Sequence, residues 1–396
     1  MLNVTLFLPS RIYAGAERQF ILLAEHLYQL KDVNVTLIDS DVGVISKNLK
    51  HLVGLKVITY IPGSKIVINN SVVILPASYM FTIGCMFDFV RCDVRYWFLS
   101  PFNLPNMYVA LKFKGVMASI TRNFCKALYL KKLKKSENQL YFMHKDTKNM
   151  IESFYGVNFS GHTMSLLVDL SQPDDLSGWN DYKKGVFAWI GRLDKGVKSI
   201  PVKRLLYDLK TLNKFELHII GDGDGASALK NIAIEYGVSD RVVFHGYIKY
   251  NQLHTVLGFC QVVFAHGTSI YEGVRCHTPV VVFDLFLDEK GVDIYKYNFY
   301  NDRESTELGT IVTNPYSNVF TNGHSLEEVM SITSNNESRK LLINNALNKA
   351  KLTVNKDLEE LTGYFTNKPL DFTHAPYCMY LDVLFWKIFY FIKRFF

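Results

Sequence analysis

The chain has 396 residues, more than one compact core usually holds, which points to two domains and an additional segment. Hydrophobic residues at 48%, charged residues at 20% and only 35 Gly and Pro together exclude a disordered, collagenous or low-complexity chain. The formal net charge is +7, but Lys112, Lys114, Arg122, Lys126, Lys131, Lys132, Lys134 and Lys135 all fall within 107–136, with no Asp or Glu among them. The rest is close to neutral, so the charge does not indicate a nucleic-acid partner.

Six scattered cysteines (Cys85, Cys92, Cys125, Cys260, Cys276, Cys378) form no C-x-x-C pair, so neither a zinc site nor a disulfide framework is expected, and a reducing cytoplasmic compartment fits. The first residues, MLNVTLFLPSRIYAG, lack a basic region ahead of their apolar run and read as a strand rather than a signal peptide. No charge-free apolar run of about 18 residues is present, so no spanning helix is expected.

In chain order, NVTLFL (3–8), VNVTLID (33–39), SVVILP (71–76), VRYWFL (94–99) and QLYFM (139–143) predict strands, while 16–30 and 145–155 predict helices. The polar stretch SQPDDLSGWNDYKKG (171–185) reads as a linker. Beyond it VFAWIG (186–191), FELHIIG (215–221), RVVFHG (241–246), QVVFAHG (261–267) and PVVVFD (279–284) alternate with helical segments. Apolar strands separated by helices predict parallel sheets. The expected architecture is α/β, with two facing Rossmann-like domains at 1–175 and 176–365 and an amphipathic helical tail at 366–396.

Two segments suit a membrane surface. In 107–136 the lysines interleave with Tyr108, Leu111, Phe113, Ile120, Phe124, Tyr129 and Leu133, a basic amphipathic pattern that fits an anionic bilayer. The alternative is a helix with its lysines in solvent. From 376 to 396 there are nine aromatics, and on a helical wheel Asp382, Lys387, Lys393 and Arg394 share an arc of about 140°. That pattern predicts an interfacial helix, the alternative being a last helix packed on the core.

Phosphate-handling residues cluster in the second half. WIGRLDKGVK (189–198) puts Arg192 and Lys198 just after a strand, where two cations can neutralise a diphosphate, with Lys195 as an alternative to Lys198. QVVFAHGTSIYEG (261–273) runs from strand through Gly267, Thr268 and Ser269 into a helix, with Ser269 the expected N-cap and Glu272 in the first turn. HIIGDGDGASAL (218–229) is a further strand, glycine loop and helix. Its Gly221, Gly223 and Ala226 match a dinucleotide fingerprint, and Asp222 and Asp224 match a metal-binding D-x-D, while a tight turn explains the glycines equally well.

Taken together, these strings resemble the retaining glycosyltransferases of family 4, which have the GT-B fold. GRLDKGVK resembles the family's donor motif, HGTSIYEGVRCHTPVVVFD a branch reading G-T-S-x-x-E-G, and AGAERQF (14–20) the glycine loop of the first domain. The resemblance implies that Arg192 and Lys198 grip the donor diphosphate and that Glu272 binds the ribose. It implies donor contacts at Gly15, Ala16, Gly191, Gly221, Gly223, Gly267, Thr268 and Ser269, and neither a metal nor a cofactor. Two positions depart from it: Phe264 stands where many members carry a further glutamate, and Ser100 where the branch often has His. The implied reaction is transfer from a nucleotide-sugar, a UDP-sugar first, to a lipid-linked or lipopolysaccharide-type glycan in bacterial surface polysaccharide biosynthesis. The enzyme would sit peripherally on the cytoplasmic face of the inner membrane. The competing readings are a nucleotide-sugar epimerase of the same fold and a non-catalytic membrane-associated relative.

Overall fold

The structure, a computed structural model, describes residues 1–366 apart from 12, 14, 101–102, 105–125, 128, 172–181, 213, 287–288, 290–291, 293, 304–307, 310 and 313–321. The predicted tail at 376–396 and most of the basic segment 107–136 lie outside the described residues.

The chain divides into two compact units. The first comprises 1–167 and the residues from 357 on, and the second comprises 168–356. The limits expected from the sequence differ: the first break falls ahead of 175, and the chain returns to the first unit from 357, within the region assigned to the second domain.

In the first unit, β1 (Leu2–Phe7), β2 (Val33–Asp39), β3 (Lys56–Thr59), β5 (Val72–Pro76), β7 (Asp93–Phe98), β8 (Leu140–Phe142) and β9 (His162–Thr163) form one sheet in the order β3-β2-β1-β5-β7-β8-β9. Every pairing in it is parallel. β4 (Ile66–Asn69) and β6 (Phe87–Val90) form a separate parallel pair. Helix α1 (Gly15–Gln29) buries Phe20, Leu23, Ala24 and Leu27, a helical stripe set against the sheet. Helix α2 (Lys145–Tyr155) starts where His144 Nδ1 accepts the Thr147 N–H at 3.1 Å and stops at left-handed Gly156.

The second unit holds β10 (Lys183–Ile190), β11 (Glu216–Ile220), β12 (Val242–Gly246), β13 (Cys260–Ala265), β14 (Val280–Val282) and β16 (Asn298–Phe299) in the order β12-β11-β10-β13-β14-β16. Only β16 runs antiparallel to its neighbour. β15 (Leu285–Phe286) pairs with β17 (Ile311–Val312). The helices are α3 (Ser199–Thr211), α4 (Ala226–Glu235), α5 (His254–Leu257), α6 (Ser269–Arg275), α7 (Leu326–Ser334) and the first part of α8 (Asn336–Thr366), which belongs to the first unit from 357. β10 begins inside the expected linker. Gly185, in a left-handed conformation, carries the strand past the Lys214 carbonyl, 2.8 Å from where a Cβ would stand.

Each unit has two apolar clusters. Strands such as β13, buried along their whole length, explain why the sequence showed continuous apolar runs instead of alternation. Cys92, Cys260 and Cys276 are buried free thiols, whereas Cys85 is disulfide-bonded, against the expectation of uncrosslinked cysteines. No described helix is long and apolar enough to cross a membrane.

Candidate functional site

Strand order reverses direction at one point in each sheet, between β1 and β5 in the first unit and between β10 and β13 in the second. In open α/β sheets such a switch point leaves a crevice at the carboxyl ends of the two strands, because their helices depart to opposite faces. Ile190 pairs with Ala265 at the ends of β10 and β13. The loops that follow, starting at Gly191-Arg192 and at His266-Gly267, therefore leave the sheet side by side.

The first loop carries the cations. Arg192 is exposed and lies 3.5 Å from Asp194. Asp194 Oδ1 in turn accepts the N–H groups of Gly196 at 3.0 Å and Lys198 at 3.2 Å, which shapes the entry to α3. Burial lowers the Lys198 pKa, the nearby Arg192 charge lowers it further, and Asp194 partly offsets both. Lys198 is half-buried and Lys195 exposed, so the residue that shares its field with Arg192 is Lys198.

Gly221 and Gly223 act on this loop from the neighbouring strand. A Cβ on Gly221 would stand 2.0 Å from the Gly191 carbonyl oxygen, and one on Gly223 2.1 Å from that of Leu193. Main-chain bonds lock the two loops together: Leu193 N–H to the Asp222 carbonyl at 3.0 Å and Gly225 N–H to the Leu193 carbonyl at 2.9 Å. The glycine string thus serves close backbone approach, as a tight turn requires. Its two aspartates are engaged locally, Asp222 with the Gly223 N–H and Asp224 with the Lys195 N–H. Among the described residues no group of three His, Cys, Asp or Glu side chains could hold a metal ion.

The second loop departs from the sequence reading in two places, at its N-cap and at the Gly267 N–H, while Phe264 lies in the strand as expected. The N-cap of α6 is Thr268 rather than Ser269, and its side chain makes no capping bond. The Gly267 N–H, expected to face a phosphate, donates to the Leu308 carbonyl at 2.6 Å. Phe264 lies inside β13, fully buried and edge-on to Phe187 and Tyr297, so its side chain belongs to the core. The polar side chain at this strand end is His266, whose Nδ1 lies 3.1 Å from the Phe283 carbonyl.

Glu272 is buried on α6 and accepts from Arg275 Nε at 2.7 Å. The Arg275 guanidinium stacks on the Tyr250 ring at 3.7 Å and donates to the Tyr250 carbonyl at 2.6 Å. Arg275 was not singled out from the sequence, although its position one helical turn after Glu272 is the signal for such a pair.

In the first unit, Gly15 and Ala16 open α1 just past the β1 end of its own switch point. A Cβ on Gly15 would meet nothing within 4 Å. Ser100 follows β7, and its N–H donates to Asn103 Oδ1 at 2.9 Å. In the described part of the basic segment, helical at 129–135, Tyr129 and Leu133 turn into the core while Lys131, Lys134 and Lys135 are exposed.

Residues 179–287 match the family model of glycosyl transferases group 1, a stretch that contains Arg192, Lys198, the glycine string, His266 and Glu272. No curated protein matches the chain. Among solved structures, HepE from Anabaena in complex with UDP-glucose is similar with a TM-score of 0.59 at 13% identity, over 92% of this chain and 100% of that one. Sucrose-phosphate synthase from Thermosynechococcus elongatus gives 0.57 at 13%, over 92% and 98%. WaaG, a glycosyltransferase involved in lipopolysaccharide biosynthesis, gives 0.54 at 12%, over 93% and 100%. At such identities the likeness is one of fold, and the fold is the GT-B one of two Rossmann-like units.

Proposed function

We propose that the chain is a retaining, metal-independent glycosyltransferase of family 4, moving a sugar from a UDP-sugar to a lipid-linked or lipopolysaccharide-type glycan acceptor. One observation supports this reading: Arg192 stands just past the β10 end of the second unit's switch point, and its charge adds to burial in lowering the pKa of the half-buried Lys198 on the same loop. An anion bound beside them reverses that shift. In the reaction the bond from the anomeric carbon to the diphosphate oxygen breaks, and the acceptor oxygen bonds to that carbon from the same face. The acceptor's proton passes to the departing diphosphate. Negative charge grows on the leaving group, and fixed cations stabilise it without reorganisation. Glu272, held by Arg275, is the group for the ribose hydroxyls. The match to group 1 glycosyl transferases and the UDP-glucose bound to HepE support the choice of donor.

The first unit is proposed to bind the acceptor, with 107–136 and 376–396 docking the protein on the cytoplasmic face of the bacterial inner membrane. The test is a thermal-shift screen with UDP-, GDP- and ADP-sugars, since a ligand at ~100 times its dissociation constant adds ~2.7 kcal/mol. Replacing Arg192 or Lys198 with Ala is expected to cost ~2–4 kcal/mol of transition-state stabilisation. Unchanged turnover in both variants would remove them from the site.

A further inference from the structure

We propose that His218 and His245 form an acid-sensitive latch on the loop that carries Arg192: the pair closes over one shared hydrogen and is forced apart by a second. Only the effect on anion binding rests on the nucleotide-sugar reading above.

His218 lies in the middle of β11. Leu217 and Ile219 on either side of it enter one apolar cluster, and its imidazole turns to the other side of the sheet, edge-on to Phe259 with ring centres 5.3 Å apart. Its Nε2 is 2.8 Å from Glu216 Oε1, and its Nδ1 is 2.8 Å from His245 Nε2. A carboxylate can only accept, so His218 Nε2 carries a hydrogen. With both rings neutral, His218 Nδ1 is then bare and accepts from His245 Nε2–H. One added proton is also tolerated, because the bond between the rings still holds a single hydrogen and Glu216 balances the charge. A second proton sets two N–H groups and two positive charges face to face at 2.8 Å, and the rings have to part.

The surroundings resist that second proton. Burial lowers the His245 pKa, His218 adds to this, and Glu216 opposes both. Lys183 on β10 lies over the Phe259 ring at 5.1 Å, and Arg339 on α8 donates to the Cys260 carbonyl at 3.2 Å, so the charges contributed from these elements are positive. Burial keeps the Cys260 thiol protonated, and α5, packed on this side of the sheet, carries His254. On the far face of β12, Lys230 of α4 lies over Phe244.

The latch sits on a backbone feature that leads to the Arg192 loop. β12 is an edge strand, and its register against β11 skips a residue: Ile219 pairs with Phe244 but Ile220 with Gly246, leaving His245 as the extra residue of a bulge. Gly246 follows in a left-handed conformation, and its carbonyl accepts the Gly221 N–H at 2.8 Å. Gly221 is the glycine pressed against the Gly191 carbonyl, one position before Arg192. Parting the rings frees the bulge, and with it the bond that holds Gly221 under this loop.

Amide exchange of Gly221, corrected for its intrinsic pH dependence, reads the latch directly. The opened pair takes up its proton at the ordinary histidine value while the closed pair resists it, so protection should hold above pH ~6.5 and fall about tenfold per pH unit below it. In His245→Gln, whose amide can donate to His218 but takes up no proton, protection should stay level over that interval. Nitrogen NMR of the wild type should show coupling between His218 Nδ1 and His245 Nε2 across the shared hydrogen at neutral pH, lost as protection falls. Equal slopes in wild type and His245→Gln overturn the latch, and so does absence of the coupling. UDP affinity, taken relative to His245→Gln at each pH, should drop together with Gly221 protection. An unchanged affinity ratio overturns the link to the Arg192 loop. If UDP binds neither form at neutral pH while exchange and coupling behave as expected, the latch stands and the nucleotide-sugar reading falls.

Discussion

The Leu193 carbonyl oxygen occupies the place where any residue but glycine at 223 would put its side chain, 2.1 Å from an ideal Cβ, and Gly223 itself stands at φ +155°. Gly223→Ala is therefore expected to destabilise the second unit by about 2 kcal/mol or more, from strained backbone and the displaced loop together. Urea denaturation measures the first effect. Loss of the nucleotide-dependent thermal shift, because Arg192 rides on that loop, measures the second.

Lys198 links anion binding to pH. Its pKa is lowered first by burial and then by Arg192, so the unfolded chain keeps this proton to higher pH than the folded protein does. Stability of the ligand-free protein should rise with pH from the folded-state pKa up to the ordinary lysine value. Binding of a nucleoside diphosphate, which needs the ammonium, should fall over the same interval. Lys198→Met should raise the Tm of the free protein while erasing the ligand-induced shift.

Asp224 separates a loop brace from a metal ligand. Its Oδ1 accepts the Lys195 N–H at 3.1 Å, a bond that an Asn oxygen can also accept. Asp224→Asn should leave transfer close to wild type, and transfer should persist in excess EDTA. Abolition by EDTA with rescue by magnesium or manganese would restore the D-x-D reading of Asp222 and Asp224.

Asp284 is fully buried, paired with Arg303 at 2.6 Å and accepting from the Tyr295 hydroxyl at 2.9 Å. Asp284→Ala leaves the Arg303 charge buried without this carboxylate and should cost ~3–5 kcal/mol. Equilibrium unfolding of the variant checks the figure.

Membrane docking is tested by vesicle flotation. Lys131, Lys134 and Lys135 are exposed, so replacing all three with Gln should leave the fold intact. Each lysine near an anionic surface contributes ~1 kcal/mol, and binding should weaken accordingly. A truncation after Asn367 should weaken it as well. Wild-type protein that stays soluble at low salt would make 376–396 a core helix.

Much of the architecture was legible because buried parallel strands and amphipathic helices write plain patterns. VNVTLID at 33–39 and the helix at 145–155 appear within their predicted limits. β4 and β6 were missed because each is only four residues long and flanked by turns. Motif spacing located the loops after β10 and β13, but could not report what their groups touch. Phe264, eight positions before Glu272, falls in the strand expected at 261–267 and is a core side chain. The engagement of the Gly267 N–H by Leu308 depends on a contact between distant segments, which no local pattern encodes.

Helix α8 begins in the second unit, where Ala346 and Ala350 are buried, and ends in the first, where Leu361 is buried and Thr362 lies 3.1 Å from His26. The second unit is thus a continuous stretch of chain, while the first is assembled from two. On the ribosome this inverts the usual sequence of events, in which the N-terminal domain is finished first. Residues 168–356 have emerged in full before the place of Leu361 can be filled. The nascent first unit has to wait with part of its apolar surface uncovered, and a chain arrested near 350 should expose that surface to chaperones although its second unit is nearly complete.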